Sequence, residues 1–93
     1  MACLIITYDV ERVGDESARH TRLIAAIQAL GAWGRVQSGV WIAQTDVPVA
    51  VAFDALMEHL DPEHPLLVAQ ISGDVKPQWA NSLCDSAWLR TRV

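Results

Sequence analysis

The chain has 93 residues, 52% of them hydrophobic and 19% charged, which suffices for one domain with one core and is too little for two. That balance excludes disorder and low complexity, which need few apolar residues and a high net charge. Seven Lys and Arg against eleven Asp and Glu give a formal charge of −4, which argues against wrapping nucleic acid by bulk electrostatics.

The opening segment, residues 2–10, is β-branched and aromatic and stays apolar on both faces until Asp9, as a central strand does. It is short, has no basic flank and ends in an acid, so it does not read as a signal peptide. No apolar run approaches the roughly 18 residues that a membrane span needs. Residues 11–16 read as a polar loop. Ser17 is the expected N-cap of a helix over residues 17–30, with Leu23, Ile27 and Leu30 on one stripe and Gly31 as its C′ stop. Two strands, residues 33–37 and 40–45, flank a tight turn at Ser38-Gly39. Pro48 opens a second helix whose stripe is Val49, Phe53, Leu56 and Leu60. A loop over residues 61–65, a strand over 66–72 and a turn over 73–77 follow, and Asn81 is a candidate cap for a last helix carrying Leu83, Ala87 and Trp88.

The order β-α-β-β-α-β predicts an α+β, ferredoxin-like sandwich: a four-stranded antiparallel sheet, both helices on one face, and a C-terminal extension. One domain is expected over residues 1–93, with its core at about 2–72 and the extension at about 73–93. Strand parity assigns Leu4, Ile6 and Tyr8 to the helix side, and by the same reasoning Leu67, Ala69 and Ile71. Cys3, Ile5, Thr7 and Asp9, with Leu66, Val68, Gln70 and Ser72, then fall on an open face of mixed character. Such a face suits an interface, and a homodimer is the simplest way to cover it. Cys3 and Cys84 stand far apart with no CxxC pairing, as reduced thiols of a cytoplasmic protein do.

Asp9 is the most informative residue for chemistry. A carboxylate where a hydrophobic strand ends must reach solvent, a backbone N–H, a cation or a metal. It reads either as a cap of the following loop or as a ligand of magnesium, which takes one or two carboxylates and completes its shell with water and phosphate. Two copies facing each other in a symmetric dimer supply two carboxylates. Arg12, Arg19, Arg22 and Arg35 are candidate phosphate contacts or solvated surface, and Ser38 is a turn serine able to donate to phosphate. His59 and His64, with Asp61 and Glu63 between them, straddle a helix end and two prolines, so their spacing implies no ligand geometry. Core or interface packing accounts for most of Trp33, Trp41, Trp79 and Trp88; base stacking is the alternative.

Residues Ile6-Thr7-Tyr8-Asp9-Val10, then a helix, then Arg35-Val36-Gln37-Ser38-Gly39-Val40-Trp41, resemble the small CRISPR-associated endoribonuclease family that partners the spacer-acquisition integrase. The likeness spans residues 4–10 and 35–41, and the element order carries it over residues 2–72. It implies a ferredoxin-like homodimer with Asp9 at the family's acidic position, holding a divalent metal, Mg2+, for phosphodiester hydrolysis. By the same matching Ser38 and Arg35 lie along the substrate path. The implied partners are RNA or DNA and a spacer integrase; a toxin–antitoxin partner fits a stand-alone relative, and none is a membrane. The chain departs from the family at Gly39, Trp41 and Ile42, in its Trp79…Trp88 tail and in lacking a basic surface, which points to such a stand-alone relative. Some family members are structural dimers, so a non-enzymatic dimeric adaptor or binding module of the same fold is the alternative.

Overall fold

Runs of β-branched and apolar residues form the two central strands, and segments with apolar residues at helical spacing form the helices that pack on them. The computed structural model describes residues 2–71 and 77–93. Its elements are β1 (Ala2–Tyr8), α1 (Val10–Val13), α2 (Ala18–Gln28), β2 (Ala32–Gln37), β3 (Val40–Thr45), α3 (Val49–Met57), β4 (Leu66–Ile71) and α4 (Ser86–Arg92). The strands make one antiparallel sheet in the order β2-β3-β1-β4. This is the ferredoxin-like α+β sandwich, with a further helix at the C-terminus.

The helix side of the sheet carries the main core. Ile6 and Tyr8 of β1 and Trp41 and Ala43 of β3 pack with Leu23 and Ile27 of α2 and Leu56 of α3. Ser17 caps α2 as expected, its Oγ accepting from the His20 N–H at 3.0 Å. The helix ends at Gln28 with Ala29 as its cap, so Gly31 is not the C′ stop. Gly31 instead has a φ of 159°, which side chains rarely adopt, and a Cβ there would sit 2.1 Å from the Gln44 carbonyl oxygen. The α3 stripe is also shifted. Ala52 and Leu56 are buried and Leu60 beyond the helix joins them, whereas Phe53 is exposed.

The parity expected of β4 is reversed. Tyr8 stands opposite Leu66 and Ile6 opposite Val68, and directly opposed residues share a face. Leu66 and Val68 therefore face the helices and pack on the main core, while Leu67 is 54% exposed on the other side. The Ser72 end of this strand and most of the turn over 73–77 lie outside the described residues.

The second face is not left bare. The C-terminal segment folds back over it: Trp79, Cys84, Trp88, Leu89 and Val93 pack on Cys3, Ile5, Val36, Ile42 and Ile71. Asp85, rather than Asn81, caps α4, its carboxylate accepting from the Ala87 N–H at 3.0 Å. Asn81 instead takes a left-handed φ of 53°, and Leu83 is exposed. The Leu83 N–H donates to the Val36 carbonyl at 3.0 Å, which ties the segment to the edge strand β2. Gly34 makes room for the cover: a Cβ there would lie 2.8 Å from Trp88 Cζ3 and 3.1 Å from Cys84 Sγ. The cover stops short of one end of the sheet, where Leu67 is exposed and Thr7 and Val40 are half-buried.

Candidate functional site

That uncovered end adjoins a cleft of about 650 Å³ where the end of β1, the start of α1, the β2–β3 turn and the start of β4 meet. Asp9, Glu11, Thr7 and Ser38 all line it. The turn is held there by close packing. Tyr8 N–H donates to the Gly39 carbonyl at 2.9 Å, and a Cβ on Gly39 would fall 2.2 Å from the Tyr8 carbonyl oxygen. Glycine at 39 is thus what lets the turn close on the end of β1, with Ser38 lining the same cleft as Asp9.

Asp9 caps α1, so residues 11–16 are not simply loop. Its Oδ1 accepts from the Glu11 N–H at 3.1 Å and the Arg12 N–H at 3.4 Å, and its Oδ2 lies 3.6 Å from Arg12 Nε. Glu11, whose N–H the cap holds, lines the same cleft, so one chain contributes two acidic residues to it. Sequence reasoning missed Glu11. The signal was present, since Asp9 followed by a four-residue Val10–Val13 turn is a capped helix start.

The structure brings Asp9 and Ser38 together and leaves Arg35 outside the cleft. Arg35 lies opposite Trp41 on the helix side of β2, its guanidinium 5.1 Å from the Trp41 ring centroid, and its Nε donates to the Ser38 carbonyl at 3.0 Å. It therefore fixes the turn that carries Ser38. Arg12 pairs with Asp9, and Arg19 bonds Asp61 at 2.8 Å. That bond is the main reason the Asp61 carboxyl is held below its ordinary range. The Asp61 N–H donates to His64 Nδ1 at 3.1 Å, so the 59–64 segment uses its polar groups locally. Among the described residues no group of three or more His, Cys, Asp or Glu side chains is placed to hold a metal.

Beneath the cleft runs a buried polar chain. Trp41 Nε1–H donates to the Tyr8 hydroxyl at 3.1 Å, and the Tyr8 hydroxyl donates to His20 Nε2 at 2.7 Å. His20 Nδ1 lies 2.8 Å from the Asp15 carbonyl oxygen, an acceptor only, which assigns the ring proton to Nδ1. Burial pushes the Tyr8 phenol above its ordinary value near 10, with the Trp41 hydrogen bond opposing it. His20 was not among the candidates, yet it precedes Leu23 and Ile27 at helical spacing on the buried stripe.

The fold and cleft together define a class: a ferredoxin-like sandwich with a hydroxyl- and carboxylate-lined cleft at the end of its first strand. No family model matches the chain, and no curated protein matches it. No helix among the described residues is long and apolar enough to cross a membrane.

Proposed function

We propose that this chain is a cytoplasmic, magnesium-dependent endoribonuclease, similar to the small CRISPR-associated endoribonucleases, that works as a homodimer. The observation that carries the reading is the meeting of Asp9, Glu11 and Ser38 on one open cleft. Carboxylate and hydroxyl oxygens are the hard donors magnesium prefers, and one or two carboxylates suffice when water and substrate phosphate complete the shell. Asp9 Oδ2 and the Glu11 carboxylate would hold the ion, which supplies an activated water and neutralises phosphate charge. Asp9 Oδ1 stays with the α1 backbone, which leaves Oδ2, 3.6 Å from Arg12 Nε, for the ion. Arg12 exchanges Asp9 for a substrate phosphate, and Ser38 donates to a second phosphate oxygen. The uncovered row of Val40, Thr7 and Leu67 beside the cleft is where a second copy would bring two clefts together.

Asn caps helices as well as Asp does, so Asp9→Asn keeps the fold and removes the charge. Magnesium-dependent RNA cleavage is expected to fall by roughly a hundredfold or more, with unfolding unchanged. Asp9→Ala is expected to lose the cap as well, about 1 kcal/mol of stability. Equal cleavage by Asp9→Asn and the parent chain would remove Asp9 from the chemistry.

One observation favours a second reading. Both Asp9 oxygens already have partners, the α1 N–H groups and Arg12, as a purely structural cap would. On that reading the chain is a non-enzymatic dimeric adaptor, bound to a spacer integrase or a toxin–antitoxin partner. It then cleaves no RNA or DNA with any divalent ion.

A further inference from the structure

Trp33 stands on the edge strand β2 and is 43% exposed, the only tryptophan among the exposed large hydrophobic residues described. Its ring centroid lies 5.5 Å from that of buried Trp41, at an interplanar angle of 54°. Arg35, two residues along on the same face, stacks over Trp41 and has no carboxylate partner among the described residues. Its Nε and one Nη donate to the Ser38 carbonyl, which leaves further N–H groups of the guanidinium unused. An exposed indole beside a preorganised, unpaired guanidinium is a pairing that packing alone does not require. It offers a π face for a base and a fork for a phosphate.

We propose that Trp33 and Arg35 form a stacking platform for single-stranded nucleic acid that leads into the cleft. This rests on the cleft being a phosphodiester site. The span from Trp33 to Ser38 is about 15 Å along β2, so a strand of a few nucleotides reaches from the platform to Asp9. The platform also reconciles a nucleic-acid ligand with a net charge of −4. Stacking supplies affinity that is independent of bulk charge, and only one or two phosphates are neutralised. Sequence preference is expected to be weak, because every base has a π face.

The test is binding of a fluorescein-labelled oligouridine in EDTA, where no metal-dependent cleavage occurs. Trp33→Leu is expected to weaken binding by roughly tenfold, the loss of one base stack, and Trp33→Phe to restore most of it. The parent chain should show a shallow log–log salt slope of about −1, and Arg35→Gln should flatten it further. Binding is read in EDTA and cleavage in magnesium, so loss of stacking and loss of cleavage are read separately. Unchanged binding by Trp33→Leu overturns the platform, whatever the cleavage assay gives. A change in oligomeric state of Trp33→Leu with binding unchanged would also overturn it, assigning Trp33 to a protein interface.

Discussion

Tyr8→Phe is expected to lower stability by about 3 kcal/mol, although it removes a single oxygen. The phenol is both the acceptor for Trp41 Nε1–H and the donor to His20 Nε2. Removing it leaves two buried polar groups unpaired, each at a cost of about 1–3 kcal/mol. The neighbouring packing is untouched, so no cavity term adds to this. Urea unfolding of the variant checks it: a lowered midpoint with an unchanged slope is the expected pattern. A second substitution, His20→Leu, should cost less in the Tyr8→Phe background than alone, because the two residues share one network.

Gly34→Val is expected to destabilise by about 3 kcal/mol, the upper end of ordinary overpacking, because the cover cannot give way by a small amount. The new side chain meets the Trp88 ring, over which the Arg92 guanidinium also stacks at 5.0 Å from the centroid. Relief comes from lifting α4, which exposes Cys3 and Ile42 beneath Leu89 and Val93. Increased binding of a hydrophobic dye, with the far-ultraviolet signal of the sheet retained, distinguishes lifting of the cover from global unfolding. Leu89→Ala undocks the same helix, so the double variant should lose less than the sum of the two.

Much of the fold was legible because its signals are local. Residues 2–8 and 40–45 are β-branched runs, Ser17 is a capping side chain, and the Ser38-Gly39 turn sits between two strands. The β4 faces were not legible, because both parity sets of that strand are largely apolar and its pairing with Tyr8 and Ile6 decides between them. The cover over the second face was likewise invisible. It depends on Gly34 admitting the Trp88 ring, a fit between residues far apart in sequence. At the site, Asp9 stood out as an acid ending an apolar strand. Glu11 did not, because its place in the cleft follows from the short helix that Asp9 caps. From the sequence Arg35 reads as a phosphate contact or solvated surface, with the substrate path implied by the resemblance alone; its place outside the cleft, its stacking on Trp41 and its bond to the Ser38 carbonyl depend on the tertiary structure.

The divalent-ion site proposed between Asp9 and Glu11 is tested most directly by a paramagnetic probe, which does not rely on turnover. Manganese, added in small amounts as a substitute for magnesium, should broaden the amide resonances of residues 7–11 and 38–39 first. That broadening should be reversed by excess magnesium and be lost in Asp9→Asn, whose cap and fold are intact. Broadening centred on His59 and His64, or equal broadening in Asp9→Asn, would rule out an ion held by Asp9 and Glu11.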